Sequence, residues 1–194
     1  PIKHCLLWKL MGNHELKKWK SGDITDKICK ELGVDYGTYT AKVTINDKNG
    51  NLMYKVFDTH GNKGISSSAD DPIRRKANME LSLKRHLSRK AGDCAVMIKH
   101  HVHKLLVSEP THDLYLTDNG NHVEQNYTSW GQSESYIHPD ARWYGCAGSF
   151  LKLYGDGISG YAEIFEYDPV ELGFLVLKVR NKKIVELKPV YLDI

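Results

Sequence analysis

Apolar positions in this chain gather into short runs separated by polar, turn-rich stretches, and the period of each run predicts its element. Cys5 to Met11 is a nearly continuous apolar run of the buried-strand kind. Thr25 to Leu32 reads as a short helix capped by Asp23 or Thr25 and ended by Gly33, the glycine that helix C-termini favour. Ala41 to Ile45 and Leu52 to Phe57 are strands joined by a turn through Asn46-Asp47-Lys48-Asn49-Gly50, a hairpin signal. After the polar, glycine-rich Gly61 to Asp70, Asp71-Pro72 opens a helix to about Arg89. Its apolar face takes Ile73, Ala77 and Leu81, with Leu83 and Leu87 close beside it.

From Cys94 onward the pattern is mostly strand: Cys94 to Ile98, Leu105 to Val107, Asp113 to Leu116, Gly148 to Leu153, Tyr161 to Tyr167, Gly173 to Lys178 and Ile184 to Leu187. Gln125 to Asp140 is a long polar stretch carrying Tyr127, Trp130, Tyr136 and His138, able either to cover a site or to pack on a sheet. Two helices among many strands, with no internal repeat, predict one α/β layered domain over residues 1–194.

Composition narrows this picture only a little. Hydrophobic and charged fractions are ordinary for a globular chain of this length, and no apolar run reaches the ~18 residues of a membrane span. Pro1 to Met11 has no small-residue cleavage site of a signal peptide. Cys5, Cys29, Cys94 and Cys146 are far apart, form no C-x-x-C pair and sit inside apolar patterns, which predicts reduced core cysteines and a cytoplasmic protein. A net charge of +3 is too small to mark a nucleic-acid binder by electrostatics alone. Basic residues nevertheless cluster at Lys17-Lys18-Trp19-Lys20, Arg74-Arg75-Lys76 and Lys84 to Lys90, either as solvated faces or as polyanion-attracting ones.

Candidate chemistry lies in three pieces, each following an apolar strand: Gly12-Asn13-His14-Glu15, Asp58-Thr59-His60-Gly61 and His100-His101-Val102-His103. In an extended segment His101 and His103 face one way and His100 and Val102 the other, so two imidazoles can meet one site. Imidazole suits zinc, iron, manganese-type and nickel ions, and an asparagine carbonyl adds a neutral oxygen donor. Each piece alone also has a plain reading: an ordinary turn at Gly12 and Asn13, a strand end at Asp58 and Thr59, a surface histidine tract.

Together these pieces resemble the calcineurin-like metallophosphoesterases of phage-borne and bacterial type, whose pattern runs Asp-x-His, Gly-Asp-x-x-Asp, Gly-Asn-His-(Asp/Glu), a later histidine often followed by glycine, and Gly-His-x-His. Gly12 to Glu15 matches the third motif, His60-Gly61 the fourth, and His100 to His103 the last, with His100 in the glycine place. Leu32 to Tyr36, Gly148 to Leu151 and Tyr161 to Glu163 extend the resemblance over most of the chain. It implies an αββα sandwich and two divalent ions (Mn, Fe, Zn or Ni), with Asn13, His60 and His101 on one and His103 on the other. It also implies that His14 contacts phosphate and protonates the leaving oxygen, oriented by Glu15.

The first two motifs do not precede Gly12, and Gly22-Asp23-Ile24-Thr25-Asp26, which spells the second, stands after the third and reads as a helix N-cap. The expectation is therefore a partial αββα sandwich, the C-terminal portion of a metal-dependent phosphoesterase truncated at its N-terminus, binding one ion and turning over weakly or not at all. Substrate is a phosphoester, with nucleic acid among the partners the resemblance admits and no membrane. The alternatives are a non-catalytic metal or nucleic-acid binding module that uses the helix from Pro72, and a structural histidine site of an unrelated fold.

Overall fold

The opening apolar run yields only a short strand, β1 (Trp8–Leu10), followed by α1 (Asn13–Lys17), α2 (Ile24–Leu32) and β2 (Asp35–Gly37). The computed structural model describes residues 5–18, 20, 22–128, 131, 132, 135–151, 154, 155, 157 and 159–192. Cys5, Leu6 and Leu7 are exposed while Met11 is buried, so the run reaches the interior only at its end. Cys5 therefore leaves the predicted core; Cys29, Cys94 and Cys146 are buried, and all four thiols are free. β1 and β2 pair in parallel, Trp8 opposite Asp35, which makes α2 a crossover helix. Asp23 accepts the N–H of Asp26 at 3.0 Å and Gly33 closes the helix in the left-handed conformation, so Gly22 to Asp26 is a helix start.

The main sheet has five strands in the order β3 (Thr40–Asn46), β4 (Leu52–Thr59), β5 (Val96–Lys99), β9 (Trp143–Ala147) and β6 (Leu105–Ser108). β4, β5 and β9 run parallel, with β3 and β6 antiparallel at the edges. The long helix α3 (Pro72–Leu87) links β4 to β5. Alternation along the strands sends Phe57, Met97 and Tyr144 to one face, against Leu83 and Leu87 of α3. Val56, Val96 and Trp143 go to the other, against Leu175, Leu177 and Leu187 of the antiparallel hairpin β10 (Gly173–Arg180) and β11 (Lys183–Tyr191). Gly145 lets that hairpin approach, since a Cβ there would lie 2.4 Å from Leu175 Cδ1. The result is a mixed α/β fold, mostly strand, with a helix on one face of the main sheet and a hairpin on the other.

Four expectations are corrected. The face of α3 that packs is Leu83 and Leu87 with Met79, while Ile73 is 81 % exposed and Ala77 and Leu81 are exposed too; Leu81, two positions from both Met79 and Leu83, stands about half a turn round the helix from them. Gly148 to Leu151 is not a strand, Leu153 lying outside the described residues; the strand is β9, broken in pattern by Gly145 and for that reason not recognised. Tyr161 to Tyr167 alternates like a strand but finds no partner, and forms the short α4 (Tyr161–Ile164) with Ile164, Phe165 and Tyr167 exposed. Gln125 to Asp140 holds the end of β8 (Val123–Tyr127), which pairs with β7 (Leu114–Asp118), and a 3-10 turn at Pro139–Ala141. Among the described residues no helix is long and apolar enough to cross a membrane.

Candidate metal centre

Three strand ends bring the three motifs together. Asn13 follows β1, His60 follows β4 and His100 to His103 follow β5, each at the carboxyl end where open α/β sheets place their sites. Backbone bonds knit the loops together: Met11 N–H donates to Thr38 O at 2.8 Å, His60 N–H to Tyr39 O at 2.9 Å and His100 N–H to Thr59 O at 2.9 Å.

Asn13, His60 and His101 converge. Asn13 Oδ1 is 3.1 Å from His60 Nε2, which is 3.2 Å from His101 Nδ1, and the Asn13 N–H points to the same Nε2 at 3.3 Å. An imidazole nitrogen has either one N–H or one lone pair in the ring plane. With the Asn13 oxygen turned toward it, a protonated Nε2 meets the Asn13 N–H and an unprotonated one meets the Asn13 oxygen. Donors bound to a common ion at about 2.1 Å stand roughly 3.0 to 3.4 Å apart in octahedral or tetrahedral arrangement, which is the spacing of Asn13 Oδ1 and of His101 Nδ1 from His60 Nε2. The donor set therefore fits a divalent cation, with Asn13 Oδ1, His60 Nε2 and His101 Nδ1 as the atoms that would hold it.

Electrostatics keep these rings neutral. Burial, with the neighbouring His101 and His100, pushes His60 down to about 4, and Tyr39 packs edge-on against its ring. Burial first, then Lys99 and His14, lowers His101; burial, then His101 and His14, lowers His103. A neutral imidazole is the form that ligates metal.

The remaining candidates take other places. His14 is exposed and lines, with Asn13, His101 and His103, a cleft of about 750 Å³ whose far wall includes Leu151 and Val170. Glu15 Oε2 accepts the Gly12 N–H at 3.1 Å and closes the start of α1. His103 turns to Ser149, whose Oγ is 3.3 Å from its Nδ1. The extended His101-x-His103 geometry does not hold, because β5 ends at Lys99 and both histidines have positive φ, 72° and 55°.

A second cleft of about 390 Å³ lies on the other side of His60, lined by Gly12, Glu15, Asp58 and His100. Here the structure adds a residue the motif reading treats as a strand end. Asp58, buried, accepts from His100 Nε2 at 2.7 Å and from Trp8 Nε1 at 2.8 Å, so it fixes the side chain that stands in the glycine place. An aspartate two residues before His60 within an apolar strand is the signal that could have found it. Gln125 to Asp140 contributes nothing to either cleft among its described residues: Gln132 bonds Lys55 N–H and Asp93 O, and Ile137 is buried against Ala95 and Ala141. Trp130, like Trp19 in the first basic cluster, lies outside the described residues.

Among the described residues, the one group of three or more His, Cys, Asp or Glu donors within 4.8 Å is Asp113, His138 and Asp140, which lines neither cleft and has Lys84 Nζ 3.1 Å from Asp140. The Asn13, His60 and His101 set thus brings two imidazoles and an amide, with no carboxylate hydrogen-bonded to any of their side chains. Compared with family models, with curated proteins and with solved structures, the chain matches none.

Proposed function

We propose that this chain carries one side of a metal-assisted phosphoesterase site, binding a single divalent ion through Asn13, His60 and His101. The observation that carries the reading is that Asn13 Oδ1 and His101 Nδ1, each from a different strand end, stand 3.1 and 3.2 Å from His60 Nε2 at a third. A bound divalent ion supplies activation of water and polarisation of a phosphoryl oxygen. His14, exposed at the cleft rim, is placed to hold a proton for the leaving oxygen, and His103, fixed by Ser149, to donate to a phosphoryl oxygen. Two imidazoles and an amide are all neutral and leave the ion's charge uncompensated, so we infer that the chain by itself binds one ion and hydrolyses weakly or not at all. The partial αββα sandwich is the fold form we assign to this reading, supported by the order of helix, sheet and hairpin.

Isothermal titration with Mn²⁺ or Zn²⁺ tests it. One ion per chain is expected, with Asn13→Ala and His101→Ala each weakening affinity at least about tenfold and His103→Ala changing it little. Absence of binding, or equal affinity in all variants, overturns the reading. Hydrolysis of bis(4-nitrophenyl) phosphate with added Mn²⁺ gives the accompanying measure of turnover.

The exposed first half of α3, with Arg74, Arg75 and Lys76, favours a second reading as a nucleic-acid binding module. Salt-sensitive DNA or RNA binding that survives Asn13→Ala and His101→Ala would support it.

A further inference from the structure

The cleft beside the metal centre is far larger than a phosphate group needs, and most of its lining is apolar. Asn13, His101 and His103 join it to the ion site, while Ile65, Val102, Leu151, Ala162, Tyr167 and Val170 give it apolar surface. Its volume of about 750 Å³ lies within the roughly 300–1,000 Å³ of clefts that take whole small molecules. The five heavy atoms of a phosphate, at about 30 Å³ for each water-sized atom, fill on the order of 150 Å³. The remainder is room for the organic part of an ester.

The apolar surface is built into the fold. Ile65 and Ala162 are buried, and Ile65 belongs to the core cluster on the α3 face, against which Val102 also packs. Leu151 is tied to the histidine tract through one residue: its N–H donates to Ser149 Oγ at 3.0 Å, and that oxygen is 3.3 Å from His103 Nδ1. After α4 the chain folds back, Tyr167 N–H donating to Ala162 O at 2.9 Å, and both residues line the cleft. Among the described lining residues, Lys104 and Asp168 are the two side chains of fixed charge, one of each sign. A surface that binds a polyanion sets several cations along its track, so this lining suits a compact ligand with a single phosphate.

We propose that this cleft receives an apolar, ring-sized organic group of the phosphoester whose phosphate lies at the Asn13, His60 and His101 centre, and that Leu151 and Val170 set the preference for it. The inference rests on the metal-assisted phosphoesterase reading. Moving such a group from water onto this surface is favourable in proportion to the apolar area covered, and a strongly polar group gains far less from the same contact.

Titration calorimetry with benzylphosphonate and methylphosphonate, which carry the same phosphorus group and differ in the ring, tests the cleft at saturating Mn²⁺ and again in EDTA. The native chain binds benzylphosphonate at least about tenfold more tightly than methylphosphonate. Leu151→Ser and Val170→Ser, at positions partly open to solvent, each cut that preference to about twofold or less and keep the native Mn²⁺ affinity. Leu116→Ser, at an exposed position of β7 that does not line the cleft, keeps the full preference. Equal affinity of the native chain for the two ligands, or a preference that persists in both cleft variants, overturns the proposal. Mn²⁺ binding without a benzyl preference sinks this inference alone. A benzyl preference that is kept in EDTA by a chain that binds no Mn²⁺, and lost in the cleft variants, upholds the apolar cleft and sinks the metal reading.

Discussion

Acid should unfold this chain through His60, and by an amount that can be worked out. In the fold its imidazole is pushed down to about 4 by burial and by His101 and His100, whereas in the unfolded chain it titrates near its ordinary 6.5. As pH falls below 6.5 the unfolded chain takes up a proton that the folded chain refuses, so stability drops steadily until the folded group itself titrates near 4. Each pH unit is worth about 1.4 kcal/mol over an interval of about 2.5 units, or about 3.4 kcal/mol in full. His60 is partly rather than wholly buried, so solvent screening reduces the expected loss to about 2 to 3 kcal/mol. The assay is urea unfolding in EDTA at intervals from about pH 7 to about pH 4, comparing the native chain with His60→Gln. Other titrating groups are common to both, so the difference between the two curves isolates His60. That difference should shift against the native chain by about 2 to 3 kcal/mol as pH falls. Parallel curves would refute a neutral, desolvated His60 and remove the reason for treating it as a ready metal ligand.

Other consequences can be checked by the same unfolding measurements. Leu83→Ala, at a position with no exposure, should cost about 2 to 5 kcal/mol, whereas Ile73→Ser on the exposed turn should stay within about 0.5 kcal/mol. Asp58→Ala removes the acceptor of both His100 and Trp8 and should cost about 1 to 3 kcal/mol, with Asp58→Asn costing less. Gly61→Ala places a methyl against Lys99 Nζ at a φ of 68°, and a loss of about 1 to 3 kcal/mol is expected. Mn²⁺ at about a hundredfold over its dissociation constant should stabilise the native chain by about 2.7 kcal/mol and leave His101→Ala nearly unmoved at the same concentration.

Periodicity and turn chemistry made the front of the fold legible. Asp23 and Gly33 delimit α2, Asp71-Pro72 opens α3, and Asn46 to Gly50 joins β3 to β4, because caps and turns are local devices written in adjacent residues. The rest depends on what lies across space. Ile73 and Leu81 look like a core face until Met79, Leu83 and Leu87 prove to be the side that packs. Tyr161 to Tyr167 has a strand's alternation but no neighbouring strand, and β9 hides behind Gly145, whose missing side chain is a requirement of the hairpin above it. Pairing partners of this kind leave no mark within a short window. In the candidate site, the meeting of Asn13, His60 and His101 follows from residue types at strand ends, while Asp58 and Lys99 pass as ordinary strand residues because their burial is a tertiary property.

The histidine tract shows why that distinction matters for function. An extended His101-Val102-His103 would aim both imidazoles at one point and invite a site with two ions. The chain instead leaves β5 at Lys99 and turns through two left-handed residues, which aims His101 at His60 and His103 at Ser149. A non-glycine residue at positive φ is uncommon, and two within three positions require surroundings that hold them there. His100, one residue earlier, supplies part of that hold: its ring is tied to Asp58, which is tied to Trp8 of β1, the strand that delivers Asn13. The bulky residue in the glycine place is thus a strut between the first and last motifs. It ties β1 and the loop after β5 to the same carboxylate, and the bend that follows turns the two histidines toward different neighbours. The backbone thus sets His101 beside His60 and His103 beside Ser149, on the wall of the larger cleft.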